Sequence, residues 1–213
     1  MQKKNKGLQH CNNMKRNILF IIFLLLVKIN LAQLELHRWS DDLYENYNSN
    51  TFQNLEIANQ KIEKGNIDYP LLNAAIFYST NLQREKYRKI PFIFSKYLTK
   101  AAQEHSEDMV KFKFYSHTSK VRGKKTMTER LKLVGISNAF TAENIFDFFL
   151  KSPTYWSLAQ GLVNGWMESK GHRANILNKN YKYLGCGSKY YFNKEWIDYF
   201  YVKSTQNFSS TST

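Results

Sequence analysis

Apolar residues recur along this chain at two spacings. Between residues 95 and 113, Leu98, Ala102, His105, Met109 and Phe112 follow at steps of four, three, four and three. That rhythm is one buried stripe of a helix, and Ser95 stands where its cap belongs. Leu72, Ala75, Ile76 and Ser79 mark a second helix, capped by Asp68 and reaching about Lys86, with Pro70 tolerated in its first turn. Thr126-Met-Thr-Glu129 reads as a capping box for a short helix that Gly135 ends. Thr154 caps a fourth helix to about Ser169, with Leu162, Val163, Trp166 and Met167 as its stripe. Gly171 is expected to break that pattern. Glu56 to Glu63 suggests a further short helix. Near the end the spacing changes. Tyr183 to Phe192 and Trp196 to Ser204, rich in aromatic and β-branched residues, predict two strands, with Asn193-Lys194 as the hairpin turn. Residues 209–213 read as a frayed polar tail.

The two ends of the pattern set the organisation. Lys3, Lys4, Lys6, Lys15 and Arg16 precede an unbroken apolar run from Ile18 to Val27, and Ala32 follows as a small residue at a cleavage position. The run is too short to span a bilayer and suits the core of a secretory signal. The expected division is a signal peptide at 1–32, an N-terminal extension at 33–68 that packs on the main domain, one domain at 69–208 and the tail. The expected localisation is secreted, or extracytoplasmic, with no membrane span once the signal is cleaved.

Composition changes that picture in two places. Loss of the leader removes six basic residues and no acidic ones, taking the formal charge from +14 to +8. The remaining cations are scattered, with only Arg122-Gly-Lys-Lys125 clustered, so nucleic acid is not an expected partner. Cys11 leaves with the leader. Cys186 then has no internal partner and, inside Leu184-Gly-Cys-Gly, reads as a small buried hydrophobe.

Candidate chemistry rests on three residues outside the apolar stripes. His117 is flanked by small polar residues. Glu143 is a lone acid leading into Phe146, Phe148 and Phe149, where burial would demand a partner. His172 directly follows Gly171, where an imidazole serves either as a fixed site group or as plain helix capping. His105, inside its stripe, reads as a hydrogen-bonded core residue. If the fold brings His117, Glu143 and His172 together, they suit a divalent cation site with an open position, or a general acid/base group. No His-Glu-x-x-His helix, phosphate loop or Gly-x-Ser-x-Gly elbow is present.

Over about Leu71 to Phe208 the sequence resembles the CAP superfamily, or SCP-domain proteins, and within it the bacterial secreted branch. Thr80-Asn-Leu-Gln-Arg84 is similar to the family's opening helix. Leu98-x-x-x-Ala102-x-x-His105-x-x-x-Met109, followed by Phe114-Tyr-Ser-His117, resembles its second helix and the histidine after it. Glu143-Asn-Ile145 resembles the Gly-Glu-Asn motif, with Ala142 in place of glycine. Trp166-Met-x-Ser169-x-Gly171-His-Arg-x-Asn-Ile-Leu177 resembles the most diagnostic motif, and Leu184-Gly-x-Gly187 with Gln206-x-Phe208 fits the closing strands.

The resemblance implies an α+β fold, a three-layer α-β-α sandwich with a small antiparallel sheet. It also implies a cleft where His117, Glu143 and His172 converge. The family's second glutamate is replaced by Ser169, with Glu168 one residue earlier. The implied function is a secreted binding module for a divalent cation, with zinc as the ion the residues suit best, or for a lipid, cell-envelope or protein ligand. The alternative is a metal-assisted hydrolase acting on peptide or cell-wall material. No nucleophile accompanies the histidines, which favours binding over catalysis.

Overall fold

The computed structural model describes residues 38–212 and, before them, Asn17, Ile21 and Ile22. The leader call at 1–32 and the start of the extension lie outside the described residues. From Trp39 onward the chain forms one compact unit.

A 3₁₀ turn at Asp41–Glu45 and one helical turn at Ser49–Phe52 lead to a 3₁₀ turn at Ile57–Asn59. That last turn is all that forms of the helix expected at Glu56 to Glu63, because a Glu-Ile-Ala-Asn segment with one buried residue, Ala58, has little packing to extend it. Helix α1, Tyr69–Lys86, begins at the Asp68 cap, whose carboxylate accepts from Leu71 N. Strand β1, Ile93–Phe94, is short. Helix α2, Lys96–Lys111, is capped by Ser95, and α3, Met127–Leu133, opens with the Thr126–Glu129 capping box. Thr154 caps α4, Tyr155–Glu168.

Two elements depart from the pattern reading. Thr141–Lys151 is an eleven-residue strand, β2, to which the spacing of apolar residues assigns no element. Its Phe149 faces solvent while the polar Glu143 and Asn144 are buried, so the alternation that marks a strand is scrambled. The break after α4 falls at Ser169, in extended conformation, and not at Gly171. Gly171 is the second residue of a further helix, α5, Lys170–Leu177, and needs no special backbone angle there. His172 therefore sits in the first turn of a helix and does not cap the end of one.

Strands β3, Tyr183–Tyr191, and β4, Tyr199–Ser209, complete a sheet of order β1-β3-β4-β2. Strands β3, β4 and β2 are antiparallel, and β1 adds to β3 in parallel. The β3–β4 connection spans residues 192–198, so β4 starts three residues after the expected Trp196, which is exposed. At the other end Ser209 is still in β4, and Ser210 N donates to Phe140 O, so the chain stays paired past the expected point of fraying.

Helices α1, α4 and α5 cover one face of the sheet, and α2 with α3 covers the other. Phe200, Val202 and Phe208 of β4 and Leu184 and Cys186 of β3 point into the α1/α4 layer. Trp39, Phe52, Ala58 and Ile62 join the same core, so the segment before Asp68 is built into it. On the opposite face β3 presents Gly185 and Gly187. A Cβ at either would stand 2.1 Å from a backbone nitrogen of α2, Thr99 or Gln103 respectively. Bare backbone on β3 thus lets α2 lie directly on the sheet, which fixes the height of everything α2 carries.

Candidate functional site

Strand β2 is an edge strand, and its successive residues point to opposite layers. Glu143 faces α2 and α3. Asn144 faces the α1/α4/α5 layer. The site is built around this dipeptide.

On the α2 side the chain leaves the helix through Lys113, whose φ of 51° reverses its direction. Phe114 then buries against Met109 and Ile145. This anchor brings Ser116 and His117 to the beginning of β2. His117 Nδ1 lies 2.8 Å from Glu143 Oε1. The imidazole is 55% exposed and the carboxylate 3%.

A residue the sequence did not single out completes the pairing. Arg130 in α3, also buried, donates to Glu143 Oε1 at 2.9 Å and Oε2 at 2.7 Å. Its other terminal nitrogen donates to the carbonyls of His117 and Lys124 at 3.2 and 3.1 Å. One guanidinium thereby neutralises the carboxylate and ties two points of the loop between α2 and α3, His117 and Lys124, to α3. With its amide oriented by its neighbours, Asn207 of β4 adds a donor 3.2 Å from Glu143 Oε2. Burial works against charge on Glu143, but the His117 hydrogen bond and the Arg130 charge outweigh it and hold the carboxyl below its ordinary value. The only sequence clue to Arg130 was that a buried Glu143 must have a partner.

His105 lies behind this pair, fully buried, with Nε2 3.2 Å from Ser116 O and 3.9 Å from Glu143 Oε1. Burial drives its pKa down to about 4 in spite of the neighbouring carboxylate. It is a neutral core imidazole donating to Ser116 O, and among the described residues its Nδ1 has no partner. Because Glu143 is ionised, His117 donates to it through Nδ1, which leaves Nε2 outside that hydrogen bond.

The opposite side of β2 carries a neutral network. Asn144 Nδ2 donates to His172 O at 3.2 Å and to Gln206 Oε1 at 3.0 Å, and Asn144 Oδ1 accepts from Asn175 Nδ2 at 2.9 Å. Gln206 Nε2 in turn donates to Thr80 Oγ1. This network pins α5 to the strand. The His172 imidazole is half-buried, and its pKa is lowered first by burial and then by the proximity of His117.

His117, Thr118, Thr126, Met127 and Glu143 line an open pocket of about 320 Å³. His117 and Glu143 are thus in contact, and His172 is within electrostatic reach of His117 without lining the pocket. Ser169 and the exposed Glu168 are not among the lining residues. Among the described residues no group of three or more His, Cys, Asp or Glu side chains is arranged to hold a metal ion. Glu143 fits poorly as a metal ligand, since both its oxygens accept from a guanidinium whose charge would oppose a dication. The two imidazoles retain ligand capacity. Among the described residues no helix is long and apolar enough to cross a membrane.

The chain resembles known proteins over this region. It is 34% identical to YkwD, an uncharacterised protein of Bacillus subtilis, over 51% of this chain and 38% of that one. It is 33% identical to YlbC, an uncharacterised membrane protein of the same organism, over 55% of this chain and 33% of that one. It therefore spans well under half the length of these relatives. Among solved structures, an extracellular protein with an SCP domain from Bacillus anthracis superposes with a TM-score of 0.52 at 27% identity, over 67% of this chain and 41% of the other. The family model for the cysteine-rich secretory proteins matches residues 77–203, which take in the second half of α1, the residues His105, His117, Arg130, Glu143 and His172, and the start of β4, and the chain belongs to that family, the CAP family.

Proposed function

We propose that this CAP-domain protein is an extracytoplasmic binding module that takes a divalent transition ion weakly through the imidazoles of His117 and His172. Glu143 supports the site from behind His117 and does not ligate. The observation that carries this reading is the double donation from Arg130 to Glu143, which commits the carboxylate to its own chain. A carboxylate so engaged is not free to act as a general base, which sets the hydrolase alternative second. It does fix the tautomer of His117 and leave Nε2 available, the usual task of a partner behind a metal-binding histidine. Export is supported by the basic, apolar leader and by the extracellular SCP-domain protein this chain resembles.

Zinc titration by calorimetry at neutral pH tests the reading. His117→Ala and His172→Ala should each abolish measurable binding. Glu143→Gln keeps one acceptor oxygen in place of two and should retain binding weakened by about ten- to a hundredfold, the usual cost of losing a supporting partner. A wild type that binds no zinc, or histidine variants that bind as well as wild type, would refute the reading.

A further inference from the structure

Helix α2 covers only part of the sheet face on which it lies. Gly185 and Gly187 are beneath it, but the helix ends at Lys111 and the chain turns away at Lys113. Phe149 lies six residues beyond Glu143 on the same side of β2, and Tyr199 and Tyr201 of β4 point opposite to Phe200 and Val202. Past the end of α2 these rings make one continuous aromatic surface. Centroids are 5.3 Å apart from Phe149 to Tyr201, 5.6 Å from Phe149 to Tyr199 and 6.2 Å from Tyr199 to Trp196. The connection between β3 and β4 adds apolar tips. Phe192, Trp196 and Ile197 are each more than half exposed, as is Phe149. The tips are held in place, since Tyr199 N donates to Trp196 O at 3.1 Å and the Lys64 ammonium donates to Ile197 O. Between Phe192 and the end of α2 opens a cavity of about 520 Å³ with Met109, Val110 and Phe114 in its wall. A contiguous exposed apolar surface marks a place of contact with a protein or a membrane.

The charge around this surface is one-sided. Lys113 and Lys203 line the cavity, and no carboxylate does. Lys203 is paired with Asp147. Lys113 has no such partner, and Lys120 stands beside it with its ammonium 3.3 Å from Lys113 O. Lys151 lies two residues past Phe149, opposite Tyr199 in the ladder, and Lys194 belongs to the connection. Lys113, Lys120, Lys151 and Lys194 are all exposed, and among the described residues none of them forms an ion pair. The acids of the connection are Glu195 and Asp198, so the surface keeps a positive excess.

We propose that this surface docks on an anionic lipid bilayer, with Phe192, Trp196 and Ile197 entering the interfacial layer and the lysines reaching the lipid phosphates. Aromatic and aliphatic tips gain by leaving water at the headgroup boundary, where tryptophan and tyrosine rings settle. Lysine stems lie along apolar surface while their ammoniums stay at the depth of the phosphates. A second copy of the chain fits less well, because a twofold contact would bring two surfaces of like charge together. A soluble polyanion would use the lysines and leave the apolar tips in water. Neither His117 nor His172 lines the cavity, so this surface is independent of the zinc reading.

The chain from Gln33 onward holds the whole compact unit without the apolar leader. It is mixed at physiological salt with vesicles of phosphatidylcholine alone, or of phosphatidylcholine with one quarter phosphatidylglycerol. Of the four tryptophans Trp39, Trp156 and Trp166 are buried and Trp196 is exposed, so a blue shift with loss of acrylamide quenching reports docking of this surface. Both should appear with the phosphatidylglycerol vesicles and be weak or absent with phosphatidylcholine alone. Phe192→Ser/Ile197→Ser should weaken vesicle binding by at least about tenfold. Lys113→Gln/Lys120→Gln should weaken it by about twenty-fivefold, roughly fivefold for each lysine. Lys86→Gln/Lys89→Gln removes the same charge at the end of α1, the helix on the other face of the sheet, and should change binding by less than about twofold. No Trp196 shift with phosphatidylglycerol, an equal response to the two vesicle types, or a Lys86/Lys89 pair as damaging as the Lys113/Lys120 pair would each overturn the proposal. So would binding that survives Phe192→Ser/Ile197→Ser, which marks a polyanion site. Self-association without lipid that Ile197→Ser abolishes would assign the surface to a second copy and overturn it as well.

Discussion

Glu143 and Asn144 are neighbours in sequence and opposites in physics. Glu143 points into a charged cluster that is half open, and Asn144 into an amide network that is sealed. Each secures one histidine. The carboxylate holds the His117 side chain, and the amide holds the His172 backbone. The charged side carries a large desolvation cost that Arg130 must offset, and it responds to pH. The amide network costs less to bury and its own side chains do not titrate. One edge strand thus positions two imidazoles from opposite faces by two unlike means, so the two can be perturbed separately.

The largest expected effect comes from removing the guanidinium. Arg130→Ala leaves Glu143 charged and buried without its main partner and should cost about 3–5 kcal/mol in urea unfolding. The paired change Arg130→Met/Glu143→Leu should recover most of that loss. A loss under about 1 kcal/mol for Arg130→Ala would mean that solvent already reaches the carboxylate.

Acid should act on the same side. His105 is neutral in the fold with a pKa of about 4, against about 6.5 when unfolded, so the unfolded chain takes up the extra proton first. Its contribution is complete above pH 6.5 and is lost as pH falls toward 4, by about 3 kcal/mol. Glu143, with its carboxyl lowered, adds a further loss below about pH 4.5. Urea midpoints between pH 7.5 and 4.5 should fall with pH in the wild type and fall less in His105→Asn. A flat wild-type profile would remove the contrast between the two faces.

The smallest effect is expected on the neutral side. Asn144→Ala strips partners from Gln206 and Asn175 and should cost roughly 2 kcal/mol, by the same amount at pH 7 and pH 5.5. A cost that changed between those two values would tie this network to the charged one.

The caps explain why much of the helical layer was legible in the sequence. Asp68, Ser95, Thr126 and Thr154 each announce a helix start and each caps one. Strand β2 was illegible for the reason that makes it a candidate site, since it buries polar residues and exposes a phenylalanine. Arg130 was hidden differently. In Met-Thr-Glu-Arg-Leu-Lys-Leu it looks like one more solvated charge, and only the tertiary fold turns it toward Glu143. His117 and Glu143 could be nominated because neither fits an apolar stripe, whereas their separation of 2.8 Å depends on Phe114 anchoring the loop. Gly171 misled because glycine near a helix end commonly marks a stop, while here it occupies the first turn of the next helix.

Cys186 stands between the two glycines on which α2 rests and points the other way, into the α1/α4 core, at 1% exposure. Burial pushes its thiol pKa well up, so neither access nor ionisation favours attack on it in the folded state. Its alkylation must wait for the sandwich to part. The rate at which a thiol reagent consumes Cys186 is therefore a clock for opening of the sheet from its α1/α4 cover, running in the unmodified protein without an added probe.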